Sequence, residues 1–192
     1  MTIEKTKATD IVSSGLTCNL KAGEVAQATG VYHVECHDKD GNLKWSADSK
    51  NLVVNVGLQY MAGSALTSTA QITTWYLGLY GAGASNTPAA GDTMSSHAGW
   101  TEVVAYSNST RVAATLAAST NANPSVVTNS ASPAVFNING TTTVGGAFLT
   151  SGSAKSGTAG SLFSAADFGS PGDRSVVTSD TLSVTYTFSL AG

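Results

Sequence analysis

Three alternate residues of one predicted strand, His33, Glu35 and His37, are the side chains of this sequence best suited to bind a metal ion. Alternate residues of a strand project from the same face about 6.5–7 Å apart, a spacing at which two histidines can share a metal. A zinc site also needs a third ligand and groups that orient the imidazoles, and the remaining histidine, His97, lies in a distant predicted loop. The pattern therefore favours an exposed polar strand face over a metal centre.

The segment after this strand, residues 38–42, has a weak likeness to a calcium-binding loop. Such a loop needs a third oxygen ligand before its glycine and a glutamate at its twelfth position. Here the glycine comes fourth, and Ser49 is the twelfth residue counted from Asp38. An Asp-Gly pair between two alternating segments is instead typical of a β-hairpin turn.

No other pattern in the sequence indicates catalysis. Gly78, Gly81 and Gly83 match no dinucleotide fingerprint, and neither a phosphate-loop lysine nor a Gly-x-Ser-x-Gly elbow occurs. The carboxylates after residue 50 are Asp92, Glu102, Asp167, Asp173 and Asp180, and their spacing does not suggest a paired acid and base. Asp92, Asp167 and Asp180 stand in turn-like contexts. The sequence therefore predicts a protein without enzymatic activity, cofactor or metal.

Charge is scarce and unevenly placed. Charged residues make up 11% of the 192 residues, the net charge is −3, and residues 1–50 hold 13 of the 21 charged side chains. Binding of nucleic acid or of an anionic membrane requires a dense basic face, which this chain lacks. With no long apolar run and no secretory signal after Met1, we expect a soluble protein made in a cytoplasm. There Cys18 and Cys36 are expected to act as small apolar residues rather than to pair.

Alternation of apolar and polar residues predicts a chain built mainly of strands. Residues 57–66 are the best helix candidate, because Leu58, Met61, Ala62 and Ala65 recur at three- and four-residue spacing. The predicted strands are residues 30–37, 43–46, 51–56, 72–80, 100–106, 111–116, 134–138, 142–149 and 181–190. Short strands with glycine-rich links and at most one or two short helices indicate an all-β β-sandwich, either a jelly roll or an immunoglobulin-like Greek key. We interpret residues 1–26 as an extended N-terminal arm and residues 27–192 as the body.

Several segments together resemble small virion proteins of tailed bacteriophages. They are residues 75–83, 88–94, 97–102, 129–136 and 144–149, and the similarity of pattern covers residues 45–190. The resemblance implies a capsid decoration (cement) protein in the virion, assembled in the cytoplasm of a bacterial host. It also implies binding to the major capsid protein and self-association as a dimer or trimer. The alternative is a tail or fibre module that contacts other tail proteins or host glycans.

Four aromatic residues are the candidate interface residues: Trp100, His97, Trp75 and Tyr80. Trp100 follows a glycine at a predicted loop-to-strand junction, and tryptophan is a frequent anchor in protein interfaces. The alternative is that Trp100 covers the core of its own domain.

Deletion of residues 1–26 is expected to leave the body folded and to abolish binding to the shell, since an arm adds contact area by ordering on its partner. Circular dichroism would test folding, and co-sedimentation with capsids would test binding. Retained binding would refute the assignment of the arm.

Overall fold

The computed structural model describes residues 26–81, 87–169 and 172–192. The predicted arm lies outside these ranges except for Ala26, and so does Cys18. Within them the chain forms thirteen strands and one helix. In chain order these are β1 (Gln27–His37), β2 (Leu43–Lys50), β3 (Leu52–Val53), α1 (Asn55–Leu66), β4 (Trp75–Gly81), β5 (Thr101–Val103), β6 (Val112–Ala114), β7 (Ser125–Thr128), β8 (Ala134–Asn137), β9 (Thr142–Val144), β10 (Gly146–Thr150), β11 (Leu162–Asp167), β12 (Arg174–Val176) and β13 (Thr181–Ala191).

Two antiparallel sheets make up most of the body, which confirms the predicted all-β sandwich. Sheet A has the order β2-β1-β13-β7, and β8 also pairs with β13. Sheet B has the order β3-β11-β10-β4-β5, and β6 also pairs with β4. Strands β12 and β9 form a separate two-stranded ribbon.

The longest ladder joins the first and last strands of the described chain, β1 and β13, over eleven residue pairs from Gln27–Ala191 to His37–Thr181. The sequence pattern explains the orientation of both strands. Tyr32, Val34 and Cys36 alternate into the core and are fully buried, as are Leu182 and Val184 on β13. The polar residues between them face outward, as predicted.

The inner faces of the two sheets pack against each other through aromatic and aliphatic side chains. Phe163 on β11 contacts Phe188 on β13, with ring centroids 5.5 Å apart. Tyr32 on β1 places its hydroxyl 2.7 Å from Oγ of Ser164 on β11, so that a buried polar contact also links the sheets. Such a contact fixes the register of one sheet over the other, because a displaced hydroxyl would be buried without a partner.

Helix α1 begins earlier than predicted, and the predicted strand 51–56 is reduced to β3. The backbone N–H of Val54 donates to the carbonyl of Phe163 at 3.1 Å, and the chain then turns into the helix. Only Gly57 of α1 is fully buried. A Cβ atom at this position would overlap the carbonyl oxygen of Phe163, so glycine lets the helix lie directly against β11.

Three strands were not predicted: β7, β11 and β12. Residues 162–167, Leu-Phe-Ser-Ala-Ala-Asp, form a strand buried on both faces, which lacks the alternation on which the prediction relied. The predicted strand 142–149 is divided in the structure. Its first part, β9, pairs with β12, and its second part, β10, lies in the middle of sheet B. No helix in the described part of the chain has the length and apolarity needed to cross a bilayer.

Replacement of Gly57 by alanine is expected to destabilise the protein by about 1–3 kcal/mol, since the new methyl group meets rigid backbone. Chemical unfolding would measure the loss. Gly63→Ala is the matched control in the same helix, because its nearest neighbour is the side chain of Thr69, which can rotate away. Equal stability of the two variants would contradict the close packing of α1 on β11.

Candidate functional site

Arg111 and Glu102 form a buried ion pair. Arg111 Nε donates to Glu102 Oε1 at 2.9 Å, and Nη2 donates to Oε2 at 2.7 Å. The side chains are only 1% and 7% exposed. Two parallel bonds between a guanidinium and a carboxylate fix both the distance and the orientation of the two groups.

The same two side chains fasten the loop between β10 and β11. Arg111 donates to the carbonyls of Gly152 and Gly157 at 2.8 and 2.9 Å. Glu102 accepts the backbone N–H of Ser156 at 2.7 Å. The guanidinium carbon also lies 5.3 Å from the ring centroid of Phe148, a cation–π distance. These contacts hold a loop without regular structure in one conformation.

A cavity of about 260 Å³ opens beside this pair. Its lining combines the ion pair with hydroxyl-bearing, aromatic and small residues: Met94, His97, Trp100, Thr101, Glu102, Arg111, Ser156, Gly157 and Thr158. The volume falls just below the range of about 300–1,000 Å³ that is usual for small-molecule pockets. Because the charges of Arg111 and Glu102 are already bonded to each other and to the loop, the pair acts chiefly as a brace for the cavity wall.

Trp100 lies inside the protein and is 4% exposed. Its Nε1 donates to Asp92 Oδ2 at 3.1 Å. The imidazole of His97 stacks on the indole at a centroid distance of 3.8 Å and donates from Nδ1 to the carbonyl of Trp100 at 3.0 Å. His97, which is half-buried, therefore covers Trp100 from the solvent side.

The other two predicted interface residues, Tyr80 and Trp75, differ in how deeply they are buried. Tyr80 is fully buried, with its ring centroid 5.0 Å from that of Trp100. Burial raises the pKa of Tyr80, whose hydroxyl has no hydrogen-bond partner among the described residues. Trp75 is half-buried and packs edge-on against Tyr60 and Phe163. Of the four, His97 and Trp75 are half-buried, whereas Trp100 and Tyr80 are buried.

The histidines of β1 lie on an exposed face and bond to neighbouring carboxylates. His33 donates from Nδ1 to Asp48 Oδ1 at 2.7 Å, and its Nε2 lies 3.3 Å from Glu35 Oε1. The hydrogen bond to Asp48 raises the pKa of His33, and Glu35 adds to this effect. His37 Nε2 lies 3.8 Å from the other oxygen of Glu35. The part of the chain that the structure describes contains no group of three or more side chains arranged to hold a metal ion.

The turn at residues 38–42 is a β-hairpin turn, as predicted. Asp38 Oδ1 accepts the backbone N–H groups of Asp40 and Asn42, each at 2.9 Å. The bond from the Asn42 backbone lowers the pKa of Asp38. This carboxylate closes its own turn and joins β1 to β2.

Two further carboxylates serve turns, as their sequence context indicated. Asp92 accepts the N–H of Ala89 at 3.0 Å, and Asp180 accepts the N–H of Val177 at 2.8 Å. Asp180 also lies 2.5 Å from Lys44 Nζ. Burial, followed by the nearby Asp180 carboxylate, raises the pKa of the Cys36 thiol to about 11. Cys36 is therefore a protonated, buried thiol at neutral pH, and Cys18 lies outside the described residues.

The Arg111–Glu102 pair was missed by sequence reasoning, which had noted Glu102 only as one of several dispersed carboxylates. Glu102 lies on β5 and Arg111 directly precedes β6, and both of these short strands pair with β4. No spacing rule predicts that their side chains meet. One signal was present: Arg111 is the sole charged residue between Glu102 and Lys155. A lone arginine beside an apolar strand is seldom buried without a carboxylate partner.

Comparisons with protein-family models, with curated proteins and with solved structures give no match to this chain. The functional argument therefore depends on the surface and the interior of this structure.

Arg111→Met is expected to destabilise the fold by about 3–5 kcal/mol, because it leaves the Glu102 carboxylate buried without a partner. The double variant Arg111→Met/Glu102→Gln should lose less than the single variant, since it removes both charges. Urea unfolding of all four members of this cycle would measure the coupling. Lys39→Met, which breaks the exposed pair with Asp40, is the control and should leave the unfolding midpoint unchanged. Additive losses in the cycle would disprove the coupling.

Proposed function

We propose that this chain is a structural protein of a tailed-phage virion that decorates the outside of the capsid and stabilises the shell. The observation that carries the proposal is a rigid β-sandwich whose exposed aliphatic side chains lie on a surface with few charges. Such a surface suits the binding of other proteins by area and shape.

Exposed aliphatic side chains occur on several different elements of the body. The large hydrophobic residues that are at least about a third exposed are Val31, Leu43, Leu52, Leu58, Leu66, Val104, Val135, Val177 and Leu190. No charged residue occurs between Lys50 and Asp92. Burying such a surface against a capsid subunit removes little charge from water, so that apolar contact is not offset by a desolvation penalty.

The edge of sheet B offers a second kind of contact. Strand β5 is the last strand of this sheet, and a groove of about 540 Å³ runs along it. The groove is lined by Gly81, Thr101, Glu102, Val103, Val104, Ala105, Thr142 and Thr143. An extended segment of the major capsid protein could add to such an edge through backbone hydrogen bonds.

Internal bracing supports a clamping role. A decoration protein bridges neighbouring capsid subunits, and this role requires loops that keep their conformation under load. The loop at residues 151–161 is held by Arg111 and Glu102, and the two sheets are tied through Tyr32 and Ser164. A preorganised surface also lowers the entropy cost of each contact with the shell.

One observation favours the second candidate, a tail or fibre module that contacts host glycans. The cavity beside Trp100 presents hydroxyls from Thr101, Ser156 and Thr158 together with an aromatic side chain, His97. These groups can hydrogen-bond and stack on a sugar ring. Trp100 itself is covered by His97, so this candidate has no exposed indole face on which a sugar could stack.

The copy number in purified particles tests the proposed function. Quantitative mass spectrometry of particles from the producing host is expected to find hundreds of copies, in a fixed ratio to the major capsid protein. A few copies to a few dozen, together with binding of the isolated protein to a glycan array that His97→Ala abolishes, would favour the tail module. Absence of the chain from purified particles would refute both.

A further inference from the structure

Helix α1 carries an apolar stripe on the side that faces solvent. Leu58, Ala62, Ala65 and Leu66 follow the spacing i, i+4, i+7 and i+8, which places them on one face of a helix. All four are exposed, and Leu66 is 85% exposed. The face toward β11 instead holds Gly57. The helix that the sequence predicted from its apolar periodicity thus turns most of that pattern outward.

This exposed stripe is not balanced by charge. The helix contains no Asp, Glu, Lys or Arg, and neither do the eight exposed or half-buried residues that follow it, residues 67–74. A charged partner would gain no ion pair here and would lose hydration, so charge complementarity selects an equally neutral and apolar surface.

The order of side-chain sizes along the stripe is self-complementary. Leu58 and Leu66 stand at its two ends, and the small residues Ala62 and Ala65 lie between them. In two antiparallel copies related by a two-fold axis at Ala62, residue 58 of one copy faces residue 66 of the other. The alanines at the crossing then allow the helix axes to approach to the short end of the usual range of about 8–10 Å, while the leucines pack against each other on both sides.

The geometry points to a homodimer in which α1 of one copy packs antiparallel on α1 of a second copy across a two-fold axis at Ala62. The proposed function includes self-association, and this inference names the surface through which it takes place. It rests on the proposed function in that respect alone.

Sedimentation of the full chain tests the contact. Wild-type protein is expected to sediment as a dimer, and Leu66→Glu is expected to weaken dimerisation at least tenfold, since it places a buried charge opposite Leu58 of the other copy. The double variant Leu58→Glu/Leu66→Glu should be monomeric with an unchanged circular dichroism spectrum. Leu43→Glu, at a residue that is 56% exposed on β2, is the matched control and should dimerise like the wild type.

Cross-linking supplies a second readout that does not depend on destabilising variants. In a Cys18→Ser background Ala62→Cys is expected to form a disulfide-linked dimer under mild oxidation, because a two-fold axis at this residue brings it close to its own copy, and the Cys18→Ser chain alone should not. A monomeric wild type, or Leu66→Glu that associates as tightly as the wild type, would overturn the inference. The copy number on particles tests the decoration function and not the dimer. Monomeric variants that still bind to capsids would leave the proposed decoration function supported.

Discussion

A guanidinium and a carboxylate can be removed from water only when each finds its full set of partners, and the Arg111–Glu102 pair meets this requirement. Arg111 and Glu102 bond to each other twice, and they also bond to Gly152, Ser156 and Gly157. The desolvation penalty of two charges is thus offset by hydrogen bonds that at the same time order a long loop. Both side chains line the cavity beside Trp100, and Glu102 belongs to the edge strand β5.

Some charged side chains of the described residues form a buried pair and others bond near β1 and β2, while one long segment of the chain carries no charge. His33 of β1 pairs with Asp48 of β2, Lys44 of β2 pairs with Asp180, and Asp38 closes the turn between the two strands. The segment from residue 51 to residue 91 has no charge and includes α1. A surface of this kind gains little from ionic attraction, and its contacts must depend on shape and apolar area.

Strands with a strict alternation of apolar and polar residues were predicted correctly, because one of their faces is buried and the other faces solvent. The residues of β1 and β13 alternate in this way over most of their length. The structure buries Tyr32, Val34, Cys36, Leu182, Val184 and Tyr186, whereas Phe188 is half-buried and Leu190 is exposed at the end of β13. Strand β11 was missed because both of its faces are covered, so its sequence shows no period of two. Residues 142–149 read as a single strand, although the chain passes from one sheet to another near Gly145.

Local pattern by itself determined the all-β class, the hairpin at Asp38, the outward polar face of β1 and the presence of one short helix, since each depends on neighbours in the chain. Tertiary structure alone decided which strands pair, that Trp100 and Tyr80 lie inside while His97 and Trp75 reach the surface, and that Arg111 meets Glu102. It also decided that the apolar stripe of α1 faces outward. These outcomes depend on how the elements pack together in space, which the local pattern does not specify. The periodicity of a helix shows that it has an apolar face without showing what covers it.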